Sequence, residues 1–160
     1  MEEQFLRTAM LLGQEAVQRL QKARVAVFGL GGVGGYVVEA LARGGVGQLD
    51  LIDSDTIGLS NLNRQLLATR STLGMPKVEA GRQRVLDINP DCIVRTYPVF
   101  YTPETADSFD FRDYDYIVDA IDTVTGKLAL VERAAAAGTP IICCMGTGNK
   151  LDPSAFRVED

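Results

Sequence analysis

At 160 residues the chain fits one domain, and 46% hydrophobic with 23% charged residues is ordinary globular composition. A net charge of −5 excludes an isolated basic nucleic-acid-binding module, and the absence of histidine excludes the usual Ser-His and Cys-His catalytic systems. No apolar run approaches the roughly 18–20 residues that span a bilayer, and the start MEEQFLRTAM is unlike a secretory signal, so the cytoplasm is the expected location, with no membrane partner.

In chain order, residues 1–22 read as a helical extension, with Phe5, Ala9 and Leu12 on one spacing, Ala16, Val17 and Leu20 on another, and a break near Gly13. A β-branched run at Arg24–Phe28 predicts a buried strand that opens into Gly29-Leu30-Gly31-Gly32-Val33-Gly34. Val33, Tyr36, Val37, Ala40 and Leu41 then give an amphipathic helix that ends at Gly44-Gly45, with Glu39 and Arg43 paired on its outer side. Leu49–Asp53 is a second strand, followed by a polar stretch from Ser54 to Arg70 that is too long for a plain connection. Pro76 opens a helix carrying Val78, Val85 and Ile88 and closing at Asn89-Pro90. Residues 92–99 form a third strand and Asp115–Ile121 a fourth. Val124, Leu128, Val131 and Ala135 mark a helix that stops at Gly138; PIICCM is a fifth strand, and AFRVED starts a sixth element.

This alternation predicts an α/β fold, a Rossmann-like doubly wound and mostly parallel sheet whose ligand binds beyond the carboxyl ends of the strands. The expected organisation is one nucleotide-binding domain over 1–160, with N-terminal helices at 1–22 and the core at 23–160. The chain stops in FRVED without a helix to cover the last strand, so it reads as the N-terminal part of something longer. Cys92, Cys143 and Cys144 form no C-x-x-C pair, and the last two lie in an apolar run, which assigns them to core packing.

Gly29, Gly31 and Gly34 satisfy G-x-G-x-x-G between a strand and a helix, and Asp53 ends the next strand, 24 residues after Gly29. Such glycines let the backbone approach phosphates at a helix N-terminus, and the acid accepts from a ribose. That pattern alone serves NAD and ATP equally. The next segment separates them: Asp53-Ser54-Asp55 is followed by Asn61, Arg64 and Lys77, and cations after the ribose acid suit a triphosphate. Singly, Arg64 and Lys77 read as solvated surface charges; beside the glycine loop they read as phosphate ligands. Asp122, after the fourth strand, is either a Mg²⁺ ligand or the N-cap of the following helix, and Asp119 is assigned a structural role.

RTAMLLG, GLGGVGGYVVEALARGGVG, LIDSDTIGLSNLNRQ, GMPKVEA, INPD and DAIDTV together resemble the ThiF/MoeB/HesA superfamily of ubiquitin-activating-enzyme-like adenylating proteins. The resemblance covers essentially the whole chain. It implies that Gly29, Gly31, Gly32, Gly34, Asp53 and Asp55 line the nucleotide, that Asn61, Arg64 and Lys77 hold its triphosphate, and that Asp122 holds Mg²⁺. It also implies a homodimer in which Arg7 reaches the neighbouring subunit's phosphates, so the residues given catalytic roles are Arg7, Arg64, Lys77 and Asp122. The reaction implied is ATP-dependent adenylation of a carboxylate. MGTGNKLDP and Thr123, where asparagine commonly stands, are similar to the branch whose substrate is a threonylcarbamoyl group on tRNA adenosine. The two C-x-x-C pairs of many sulfur-carrier activators are absent from this sequence. Three alternatives stay open: adenylation of a ubiquitin-like sulfur carrier, with a sulfur-transfer partner protein; an NAD(P)-dependent oxidoreductase; and a nucleotide-binding domain without turnover.

Overall fold

Short apolar runs buried on both faces build the centre of the sheet: four of the five residues of Arg24–Phe28 and four of the five of Gln48–Ile52 are buried. The computed structural model describes residues 3–160, so the first two positions of the expected helical extension lie outside the described residues. Strands β1 (Arg24–Phe28), β2 (Gln48–Ile52), β3 (Ile93–Tyr97), β4 (Tyr116–Asp119) and β5 (Ile141–Cys143) pair in the order β3-β2-β1-β4-β5. All four pairings are parallel, so the expected mostly parallel sheet is wholly parallel among the described residues. In β1, Val25 and Val27 face α3 (Gly34–Gly44) and α4 (Lys77–Ile88), while Ala26 and Phe28 face α5 (Val124–Ala137). Order reverses between β1 and β4, which leaves a crevice at the carboxyl ends of those two strands.

The N-terminal helices α1 (Leu6–Leu12) and α2 (Gln14–Lys22) dock at the opposite end. Val17 is buried, the Gly47 amide donates to the Leu20 carbonyl at 3.0 Å, and a Cβ on Gly47 would strike the carbonyl of Gln21. Phe5 fills the space over Gly45, which closes α3 with φ +88°. No helix among the described residues is long and apolar enough to cross a membrane.

Several expectations need correction. The stripe Val124, Leu128 and Val131 is exposed; α5 instead turns Gly126, Leu130 and Ala134 inward. Both stripes of VTGKLALVERAAAA are apolar, and Gly126 decides between them, because a Cβ there would lie 2.6 Å from Ile121 Cδ1. Glycines also set α3: Gly34 and Gly35 take the closest approach, so Val38 and Ala42 face the core while Tyr36 and Ala40 face solvent. The stretch Ser54–Arg70, too long for a plain connection, is anchored by Ile57, Leu67 and Ala68, which pack on the α3–α4 side of the sheet. The expected sixth element is only a 3₁₀ turn, Pro153–Ala155, followed by exposed irregular chain.

One buried charge had no signal in the sequence pattern. Asp50 of β2 is fully buried on the α5 face, where it accepts from Arg24 Nη2 at 2.7 Å, Tyr97 Oη at 3.1 Å and Tyr114 Oη at 3.2 Å.

Candidate functional site

The crevice is a cavity of about 510 Å³ at the carboxyl ends of the strands. Its floor is the glycine loop. Gly29 has φ +89°, and a Cβ there would lie 2.7 Å from the Ala120 carbonyl oxygen, so only glycine lets the loop pass under β4. Gly31 and Gly32 line the cavity. Gly34 does not: it packs against the Gly29 carbonyl, where a side chain would collide. Its place in this structure is helix–strand contact, where the expectation put it beside the ligand. The loop leads straight into α3, whose N-terminus adds partial positive charge.

Asp53 follows β2 immediately. Its Oδ2 accepts from the Leu30 amide at 2.7 Å and its Oδ1 from the Asp55 amide at 2.8 Å, so the carboxylate is clamped to the glycine loop with acceptor sites to spare. Pro76 opens α4 so that Lys77 is its first residue, and the side chain is buried. Its ammonium lies 2.8 Å from Asp55 Oδ2 and 3.9 Å from Asp53 Oδ2, two acids that offset the cost of burying a cation. Arg64 is exposed, with Nη1 on the Ser60 carbonyl at 3.0 Å and Asn63 Oδ1 at 2.9 Å, and its stem passes over Gly32. Asn61 Oδ1 accepts from the Gly58 amide at 2.9 Å, which leaves its amide nitrogen as the group it offers the cavity.

On the other side of the glycine loop Asp122 stands exposed on the cavity wall. The N-cap of α5 is Thr123, and no side-chain hydrogen bond caps that helix. Asp119 is fully buried, with Lys127 Nζ at 3.0 Å. Thus Gly29, Gly31, Gly32, Asp53, Asp55, Asn61, Arg64, Lys77 and Asp122 converge on one cavity. Arg7 does not join them. It is exposed on α1, two residues after Phe5, which docks at the far end of α3.

The cavity also recruits residues to which sequence reasoning assigned no site role: Gln65, Phe100, Ile121 and the segment Cys144–Thr147. Gln65 is buried with its Nε2 beside Gly31, and its position in Asn61-Leu62-Asn63-Arg64-Gln65 was the available signal. The other three follow strand ends and become neighbours only through the parallel topology. Burial and the nearby Asp119 carboxylate push the Cys143 thiol up to about 11, and burial raises Cys144, so neither is an activated nucleophile. Among the described residues no group of three metal-ligating side chains exists. A single carboxylate such as Asp122 suits Mg²⁺, which keeps most of its shell for water and substrate phosphates.

A glycine loop, a clamped acid and two cations on a doubly wound sheet define a site of the nucleotide-binding α/β class. The ThiF family model matches residues 5–157, and the chain belongs to that family. It is 43% identical over 157 residues to the tRNA threonylcarbamoyladenosine dehydratase of Bacillus subtilis, a match covering 98% of this chain and 62% of that protein. The chain thus spans about three fifths of the length of that relative. Among solved structures, E. coli tRNA N6-threonylcarbamoyladenosine dehydratase, TcdA, in complex with ATP superposes with a TM-score of 0.95 at 38% identity, over 99% of this chain and 65% of that one. A more distant relative, the adenylyltransferase and sulfurtransferase UBA4 of Candida glabrata, is 36% identical over 132 residues, 82% of this chain and 30% of that protein.

Proposed function

We propose that this chain is the nucleotide-binding part of an ATP-dependent adenylating enzyme that activates the carboxylate of a threonylcarbamoyl group on tRNA adenosine. The observation that carries the reading is the convergence of Arg64 and Lys77 with the glycine loop on one cavity. A hydride-transfer site has little use for cations there, whereas a triphosphate needs them. Likeness to the ATP complex of the E. coli dehydratase supports the nucleotide, and the dehydratase relatives support the substrate.

In this reading Asp53 accepts from the ribose hydroxyls and the apolar wall of Ile52, Val99, Phe100 and Ile121 shelters the base. Gly31, Gly32 and the α3 N-terminus face the phosphates; Arg64, Lys77 and the Asn61 amide hold the charge that builds up as pyrophosphate departs. The substrate carboxylate attacks the α-phosphorus, the bond from that phosphorus to the bridging oxygen of pyrophosphate breaks, and an acyl-adenylate forms. Cyclisation onto the activated carbonyl then releases AMP, so that water is lost overall. Both reactants are anions, and alignment with preorganised charge supplies what catalysis needs, which is why a chain without histidine can perform it. Asp122 would hold Mg²⁺, which supplies further neutralisation of the phosphates. The working unit is a homodimer in which Arg7, remote from its own cavity, serves the neighbouring one.

ATP–pyrophosphate exchange tests this in the complete protein, with calorimetry comparing ATP and NAD. The expected result is tighter binding of ATP and exchange only with threonylcarbamoylated tRNA. Exchange with the C-terminal glycine of a ubiquitin-like sulfur carrier would transfer the function to that substrate, and tighter NAD binding would end the adenylation reading.

A further inference from the structure

Lys127 is in an unfavourable place. It occupies the first turn of α5, where the helix dipole disfavours a cation and where no acidic residue stands. Its side chain is only 13% exposed. What holds it are two acceptors on two other segments: Asp119 Oδ2 at 3.0 Å and the Cys144 carbonyl at 2.7 Å. A buried ion pair of this kind gives little net stability over apolar packing, so its presence points to orientation.

Asp119 is the hub of that arrangement. Its Oδ1 accepts from the Ile121 amide at 3.1 Å, its backbone carbonyl accepts from the Cys144 amide at 2.8 Å, and its Oδ2 takes Lys127. Ile121 precedes Asp122, and Cys144 begins the segment through Thr147; both stretches line the cavity. Behind them the chain folds tightly on α5, since a Cβ on Gly126 would lie 2.6 Å from Ile121 and 2.7 Å from Thr123 Oγ1. One ammonium thus ties three segments that meet at the cavity wall.

We propose that Lys127 is a positioning residue: by joining the Asp119 carboxylate to the Cys144 carbonyl, it fixes the loop bearing Asp122 relative to the Cys144–Thr147 segment. The role of Asp122 toward the metal rests on the adenylation reading; the tie itself is independent of it. Lys127 touches neither the cavity nor the reacting atoms, and acts through the two segments it joins.

Lys127→Met alone would strand a buried carboxylate, so the informative variant in the complete protein is the neutral pair Lys127→Met with Asp119→Asn, with Lys127→Arg as the conservative control. Hydrogen exchange should accelerate about tenfold at the hydrogen-bonded amides of Ile121 and Cys144, which both rest on Asp119, while β1 and β2 keep their protection. Metal-free ATP should bind within about twofold of wild type, whereas the Mg²⁺ needed for half-maximal pyrophosphate exchange should rise about tenfold, the usual effect of losing a group that orients a metal ligand. Lys127→Arg should restore most of both. Unchanged protection at the two segments, or a uniform loss across the sheet, would overturn the proposal. Wild-type protein without pyrophosphate exchange would sink the adenylation reading instead, and hydrogen exchange would still decide on the tie.

Discussion

The interior charge at Asp50 and the charges around the cavity follow opposite designs. Asp50 is saturated: Arg24 donates twice, at 2.7 and 3.3 Å, Arg95 once at 3.4 Å, and two tyrosines at 3.1 and 3.2 Å. Those groups respond to one another. Burial and the Asp50 carboxylate raise both the Tyr97 and Tyr114 phenols, and the hydrogen bond to Asp50 raises the Arg24 guanidinium. Around the cavity the charges are only partly satisfied. Asp53 takes two amides and keeps further acceptor sites, Arg64 binds a carbonyl and an amide oxygen rather than an acid, and Asp122 stands in solvent. A full complement of partners marks a charge that builds the fold, and an incomplete one marks a charge available to a ligand.

Substitutions can break this contrast at either end. The largest effect is expected at the saturated end. Asp50→Ala leaves Arg24 and two phenols facing an empty acceptor site, so stability should fall by about 3–5 kcal/mol in chemical denaturation. ATP affinity of the remaining folded protein should stay within about twofold, because none of these groups lines the cavity. A large change in affinity at unchanged stability would erase the distinction. At the cavity end Lys77→Ala should lower pyrophosphate exchange by roughly 10²–10³-fold, about 2.7–4 kcal/mol of transition-state stabilisation. Mixing that inactive protein with inactive Arg7→Ala subunits should recover up to about a quarter of wild-type activity if Arg7 works across a two-fold axis. No recovery after proven subunit exchange would leave Arg7 outside the neighbour's site.

The smallest effect is expected where a charge is paired but belongs to neither end. Glu39 is held at about 2, below its ordinary 4.5, chiefly by the Arg84 hydrogen bond and then by Arg43. A depressed carboxylate contributes stability above its unfolded pKa and loses it as pH falls through the folded one. Both partners are solvent-exposed, Arg84 at 42% and Arg43 at 59%, and screening leaves such pairs little net worth, so Glu39→Gln should cost less than about 1 kcal/mol at pH 7. Thermal melts should show that deficit closing between pH 4.5 and about 2. A deficit that stays constant with pH would mean that packing rather than charge accounts for Glu39.

What was legible in the sequence was whatever one element decides alone. β1 and β2 show in their short apolar runs, the glycine loop in its spacing, and Asp53 in its place at a strand end. Convergence of Asn61, Arg64 and Lys77 was also readable, because an amide and two cations follow Asp53 in and just after the polar stretch Ser54–Arg70, which is too long for a plain connection. The inward face of α5 was not, since Val124, Leu128 and Val131 are as apolar as Leu130 and Ala134, and only the contact at Gly126 settles the rotation. Asp50, Lys127 and Cys144–Thr147 escaped for a different reason. Each acquires meaning from strands far away in sequence, and Asp50 meets partners 26 to 64 residues distant. Local periodicity carries no record of such meetings.

Gly34 has a consequence for how the site is made ready. Its bare Cα rests on the carbonyl of Gly29, and Leu30 between them is pinned to Asp53, so the glycine loop takes its shape from the chain itself. Its conformational entropy is surrendered when the domain folds, not when a nucleotide arrives. In the adenylation reading, association would have little loop ordering to accomplish, and the affinity gained from each phosphate contact would not be diluted by it.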